Sequence, residues 1–249
     1  MPVFEQANPL HFEELTMSRL LAAAVSLALT ACGGFGIVGN GKRVTQPREV
    51  PAFSSIEVHS AIEVIATKGD HSVSLTTDEN VAQYVETFVT DGRLVLRVRP
   101  DVDVMGFTPV KIAISNDRFE GISASGASTV TAPVTAVAKL PIEASGASTV
   151  ILSGVDSSTV TVDASGASTV KLEGKTEALS MNVTGASTVR ARPLSANTAT
   201  LAVEGASLVD LTAATSVTGH ASGASTVEVS GAGTMNVTSS GASTVRRSN

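Results

Sequence analysis

At 249 residues the chain can form one elongated domain or two small ones, and a net charge of −6 with 16% charged residues offers no basic face for nucleic acid. Aromatics make up only 3%, with one Tyr and no Trp, which would starve an ordinary globular core. All seven Phe lie at or before Phe119, so two kinds of packing are expected to meet near residue 120.

From Met17 the chain reads MSRLLAAAVSLALTAC. Arg19 supplies a positive start, and Leu20 to Thr30 is an apolar stretch of 11 residues. That length suits a signal peptide and is too short to span a bilayer as a helix. It ends in Leu29-Thr30-Ala31-Cys32, which resembles the bacterial lipobox. The resemblance implies cleavage before Cys32 and a diacylglyceryl group on its thiol, so the membrane is an expected partner through a lipid anchor. Cys32 is the only cysteine, which leaves no internal disulfide. Residues 1–31 read as the signal peptide, but Glu5, Glu13 and Glu14 put negative charge where a signal peptide wants positive, so Met17 is the expected start of translation and residues 1–16 are expected to be untranslated. Gly33 after the cysteine favours sorting to the outer membrane over inner-membrane retention. Gly33, Gly34, Gly36, Gly39 and Gly41 make residues 32–41 read as a flexible tether.

Residues 42–121 alternate apolar and polar positions without repeating: Ile56 and Val58, Ile62 and Val64, Val73 and Leu75, Leu94 to Val98, Val110 to Ile114. Such a period of two predicts strands. Thr77-Asp78 before Glu79–Glu86 predicts a short helix packing Val81, Tyr84 and Val85 onto the end of a rod, as a cap.

From residue 122 the chain repeats. SGASTV starts at Ser125, Ser145, Ser165, Ser222 and Ser240, TGASTV at Thr184 and EGASLV at Glu204. The corner glycines are Gly126, Gly146, Gly166, Gly185, Gly205, Gly223 and Gly241, at intervals of 18 to 20 residues. That period is too short for two helices and fits one coil of a β-solenoid. Charged residues fix the facing: Lys171 and Glu173 go out, so Ser168, Val170 and Leu172 go in. Each coil is thus two strands hinged at a Gly-Ala corner, and the fold class is all-β, a two-sheet β-helix of about 20 residues per coil with a β-rich N-terminal section. The outward column Thr129, Thr149, Thr169, Thr188, Thr226 and Thr244 is the candidate binding face, broken at Leu208.

Gly39-Asn40-Gly41, Arg48 with Val50, Phe53, Ile56-Glu57-Val58, Ile62-Glu63-Val64, Gly69, Asn80, Asp91-Gly92 with Leu94, and the glycine repeats beyond Gly121 follow one another in an order that resembles the "putative auto-transporter adhesin, head GIN domain" family. The resemblance spans residues 38 to 249. It implies a two-sheet β-helix with tight glycine turns and a role in adhesion resting on architecture. It carries no catalytic residues. The GASTV corners are more regular here than that family's pattern.

An enzyme on a β-helix needs clustered acids, usually with a cation on the same face. The acids after Gly121 are scattered over coils, and His59, His71 and His220 show no ligand spacing. Asp101 and Asp103 read as a solvated turn. The expectation is therefore a protein that is not an enzyme, with no cofactor and no metal. Ice binding would want a second Thr column two residues on, but that column reads Thr131, Ile151, Lys171, Arg190, Asp210, Glu228 and Arg246. Two readings stay open: an adhesin-like module for a surface ligand, protein or glycan, and a passive periplasm-facing spacer. Oligomerisation is compatible with both.

Overall fold

The computed structural model describes residues 35–105 and 109–248. The lipobox reading, with Leu29, Thr30, Ala31 and Cys32, lies outside the described residues. Within them the chain is built almost wholly of strands, stacked into a β-solenoid of about six turns that recur about 20 residues apart.

The N-terminal section comprises β1 (Phe35–Val38), β2 (Arg43–Pro47), β3 (Ser55–Val58), β4 (Ile62–Lys68), β5 (Ser72–Asp78), β6 (Val85–Thr90), β7 (Arg93–Val98), β8 (Val102–Met105) and β9 (Val110–Asn116). The repeats supply β10 (Gly121–Ala124), β11 (Thr129–Pro133), β12 (Val137–Ala144), β13 (Thr149–Ala164), β14 (Thr169–Val183), β15 (Thr188–Val203), β16 (Leu208–Ala221), β17 (Thr226–Ser230), β18 (Thr234–Ser239) and β19 (Thr244–Arg247).

Along β13 the buried side chains are Val150, Leu152, Val155, Ser157, Val160, Val162 and Ala164. Parity holds within each run and slips by one residue at Ser153-Gly154 and again at Ser158-Thr159, where the strand bends. Each coil therefore closes through one sharp Gly-Ala corner and two shallower bends. Facing partners stay in register from coil to coil: Val150 against Val170, then Val170 against Val189. Full burial of one such aliphatic side chain contributes about 1.5–3 kcal/mol.

At the sharp corner the interior narrows, and small residues fill it. Ser128, Ser148, Ser168, Ser187, Ser207 and Ser225 form a buried column. A buried hydroxyl without a partner costs about 1–3 kcal/mol, and these have partners. Ser128 Oγ donates to Ser125 O at 2.7 Å, Ser148 Oγ to Ala124 O at 3.1 Å and Ser168 Oγ to Ser187 Oγ at 3.2 Å.

All seven predicted corner glycines adopt positive φ, between 68° and 82°. A Cβ on Gly166 would also sit 2.7 Å from Gly146 O, so the stacking itself excludes a side chain there. An eighth corner precedes them. Ser60 has φ 69°, Gly126 rests on its backbone, and Ala127 N donates to Ser60 O at 3.1 Å.

The stack does not follow chain order. β10 and β11 lie parallel against β3 and β4 on one side, while β7 and β9 lie parallel against the same two strands on the other. The earliest coil is thus sandwiched between two later ones. Beyond β7 and β9 the end is closed by antiparallel strands, β6 on β7, β5 on β9 and β2 on β5. These replace the open parallel edge that would otherwise invite further strands. At the other end β18 and β19 are the outermost strands, and Met235, Val237 and Val245 are only partly buried.

Two expectations are corrected. The helix over Glu79–Glu86 is a 3-10 turn of three residues, Ala82–Tyr84, because Val85, Thr87 and Val89 already alternate as part of β6. Val81 and Val85 are buried as expected, but Tyr84 lies half-buried beneath the Arg99 guanidinium, 5.7 Å from its ring centre. The span read as a tether to residue 41 already holds order, with β1 pairing β8. Asn40 N donates to Asn80 Oδ1 at 2.9 Å and Gly41 N to Asp78 Oδ2 at 3.0 Å, which docks this stretch on the cap.

Candidate functional site

The six candidate threonines are brought onto one line. Register pairs join Thr129 to Thr149, Thr149 to Thr169 and Thr169 to Thr188, then pass through Leu208 to Thr226 and Thr244. Their backbones are pinned from within: Thr149 N donates to Ser128 O and Thr169 N to Ser148 O, each at 2.8 Å. Hydroxyls consequently recur at the strand spacing of about 4.8 Å. The column begins with Glu63, paired to Lys111 at 2.7 Å, so its N-terminal end is charged. The neighbouring outward column carries Ile65, Thr131, Ile151, Lys171, Arg190, Asp210, Glu228 and Arg246 in register, which is the charged array expected from the sequence.

On the sheet before the corner lies a cluster that sequence spacing could not show. His59 Nδ1 lies 2.6 Å from Ser125 Oγ, and His59 Nε2 lies 2.7 Å from Glu57 Oε1. Arg93 donates to the other Glu57 oxygen at 2.9 Å. The Arg93 hydrogen bond holds the Glu57 carboxyl below the usual carboxylate range, against the opposing effect of burial, and His59 adds to the lowering. Ser125 and His59 are 66 residues apart and meet only because the Gly126 corner stacks on Ser60. The order serine, imidazole, carboxylate is that of a proton relay. Its surroundings differ from a reaction site, however: the adjoining hollow, lined by Arg93, Ser123 and Glu143, holds about 40 Å³, little more than a water. The cluster ties the first two corners together.

A larger cleft of about 690 Å³ opens at the far bends of the N-terminal coils, lined by Phe53, Asp70, His71, Asn116, Asp117 and Arg118 among others. Its polar groups mostly bind one another. Asn116 Nδ2 donates to Phe53 O at 2.9 Å and Arg118 O at 2.8 Å, and its Oδ1 lies 3.3 Å from His71 Nδ1. The imidazole tilts against the Phe53 ring, 5.3 Å between centres. Arg118 pairs with Glu120 and holds that carboxyl below its ordinary range. Among the described residues no group of three or more His, Cys, Asp or Glu side chains is arranged to hold a metal ion.

The coil stack, the positive-φ corners and the antiparallel cap coincide with a family match. The family model described as "Putative auto-transporter adhesin, head GIN domain" matches residues 52–246. The chain belongs to this family. Solved structures share the fold over most of the chain. A protein titled a putative adhesin from Bacteroides fragilis is 22% identical with a TM-score of 0.80, covering 86% of this chain and 100% of its own. A protein titled a putative lipid binding protein from Parabacteroides distasonis is 16% identical with a TM-score of 0.69, and a putative adhesin from the same organism is 18% identical with a TM-score of 0.67. Each of these two covers 86% of this chain and 100% of its own. At such identities the likeness is one of fold. A search of curated proteins finds no match.

Within the GIN domain, Phe53, Gly69 and Gly92, which carry the family resemblance, all line the large cleft. Phe53 is buried there, and a Cβ on Gly69 would meet Ser115 Oγ at 2.7 Å. They shape the bends of the first coils.

Proposed function

We propose that this GIN-domain protein is a non-catalytic lipoprotein of the cell envelope, anchored through Cys32 and presenting its solenoid as an adhesin-like binding module. The family match over residues 52–246 carries the reading. The physical form suits it: one continuous outward sheet of threonines and charges, fixed by a core of stacked valines, gives a rigid extended surface. Rigid repeat surfaces bind without a pre-formed cavity, by presenting many weak contacts at a fixed spacing. The outer membrane is the proposed location, by the Gly33 argument.

Protease shaving of intact cells tests the exposure that adhesion requires. Cleavage of the solenoid while a periplasmic control survives supports the adhesin reading. Cleavage only after permeabilisation of the outer membrane replaces it with the periplasm-facing spacer. Separately, Cys32→Ala is expected to release the protein from membranes, and a variant that resists a carbonate wash overturns the anchor.

A further inference from the structure

The far bends of the solenoid are not of equal length. Leu152 pairs with Leu172 and Val155 with Gly174, so two residues, Ser153 and Gly154, face the single Glu173. On the other side Lys171 pairs with Arg190 and Gly174 with Leu194, so three residues, 191–193, face two, 172–173. The bend at Glu173 is therefore one residue shorter than both neighbours and is recessed between them. The recess is a groove of about 450 Å³, within the range of ligand sites. Its floor is apolar, with Leu152 and Leu172 buried beneath it and Ile151 half-buried at its edge.

Its charges are uneven. Lys171 and Arg190 project outward in register on adjacent coils, the one place among the described residues where the ladder sets two cations opposite each other. Like charges directly opposed on a sheet are destabilising. Elsewhere cations on the ladder face anions, as with Lys111 and Glu63, Lys175 and Asp156, Arg97 and Glu86, and Arg246 and Glu228, and the opposed anions Glu143 with Asp163 and Asp210 with Glu228 each accept a hydrogen bond. Neither Lys171 nor Arg190 joins an ion pair among the described residues. Of the other lining charges, Arg192 is committed to Glu228 at 3.3 Å, and Asp210, the register partner of Arg190 on the next coil, accepts from Arg192 N at 3.3 Å and makes no ion pair with Arg190. Glu173 lies at the short bend, beyond the cation pair. Two positions back along the same strands stand Thr169 and Thr188, also in register.

We infer that the groove between the Ser153 and Pro193 bends binds an acidic saccharide, with a carboxylate on Lys171 and Arg190 and with the chain running past the groove's lining to set ring hydroxyls on Thr169 and Thr188. This rests on the adhesin reading and names its ligand class. The absence of any aromatic residue after Phe119 removes the stacking platform that neutral sugars use, so charge is the strong handle left on this surface. Two unpaired cations at one-rung spacing supply it, and the ligand relieves their mutual repulsion. Charge-assisted hydrogen bonds of this kind contribute at least roughly tenfold in affinity per cation.

Calorimetric titration of the full lipid-free chain with trigalacturonate, with maltotriose as the neutral counterpart and phosphatidylglycerol vesicles as the alternative anion, tests this. Binding is expected to trigalacturonate alone, to weaken with salt, and to fall about a hundredfold in the Lys171→Ala/Arg190→Ala double variant. Both side chains are exposed, so the variant should keep its melting temperature, and Lys175→Ala serves as the control with unchanged affinity. No binding, equal binding of maltotriose, equal affinity in the double variant, or binding confined to the vesicles would each overturn the inference. A protein that shaving shows on the cell surface but that fails here keeps the adhesin reading and loses only this ligand. One that binds trigalacturonate through these cations yet is shielded from protease keeps the groove and loses adhesion.

Discussion

At the scale of single residues, the corner glycines serve two demands that can be separated. Gly166 has φ 75° and lies against Gly146 O, whereas Gly154 has φ 68° with nothing within 4 Å of where its Cβ would be. Left-handed backbone alone costs a non-glycine residue about 1–2 kcal/mol. Gly154→Ala should therefore lose about that much in denaturant unfolding. Gly166→Ala should lose clearly more, because backbone oxygen cannot yield as a flexible side chain would. Equal losses would mean that the corner stack relaxes freely. Ser60 shows that a side chain is tolerated at the bottom of this column, where no corner glycine lies below it. Glu57 supplies a second measurement. Its carboxyl is held below the ordinary value of about 4.3, so its contribution is present above that pH and vanishes as pH falls through the lower folded value. Glu57→Gln should be less stable at neutral pH and lose less stability between about pH 5 and pH 3. An unchanged acid profile would show the Arg93 pair to be energetically silent.

At the scale of elements, one coil should be dispensable. Excision of residues 146–165 joins Ser145 to Gly166 and restores SGASTV across the junction. Facing partners become Thr129 with Thr169 and Val130 with Val170, which repeats the native register. Because repeats bind only their neighbours, the shortened chain should fold cooperatively with a smaller unfolding enthalpy and an unchanged β-sheet circular dichroism per residue. A molten or aggregated product would refute this modularity. The repeats were legible in the sequence for the same reason. Alternating Lys, Glu and Arg mark the outward side without ambiguity, and the glycines mark the corner. The parts that were not legible involve partners far along the chain. HSAIEV at Ser60 shares only its alanine and its terminal valine with SGASTV, so the eighth corner carries no local signature. The His59–Ser125 contact is created by stacking alone. The supposed helix failed because Asp78 and Asn80 act through their side chains, accepting from Gly41 N and Asn40 N, instead of capping a helix.

At the scale of the whole molecule, the two ends differ. One is closed by antiparallel strands, while β18 and β19 present unpaired edges beside partly buried Met235, Val237 and Val245. Stability in a stacked solenoid declines toward an uncapped end. Amide hydrogen exchange should accordingly be fastest in β18 and β19 and slowest in β13 to β15. Protection as strong in β19 as in β14 would show that end to be covered in solution, by another copy or another partner. The candidate face runs along this gradient. Thr169 and Thr188 lie on β14 and β15 in the middle of the stack, and Thr244 lies on the outermost β19.

The sandwiching of β3 and β4 between strands made later has a consequence for how the protein comes into being. When residue 68 leaves the ribosome, neither neighbour of this first coil yet exists. The second arrives only with β11, about 65 residues later, roughly 3–13 s at ordinary synthesis rates. Until β7 and β9 are made the nascent chain carries Ile56, Val58, Ile62 and Val64 with no sheet to join, and until β11 it has a neighbour on one side only. It cannot wind up turn by turn from its leading end, and its compact form must wait for the middle of the message to be read.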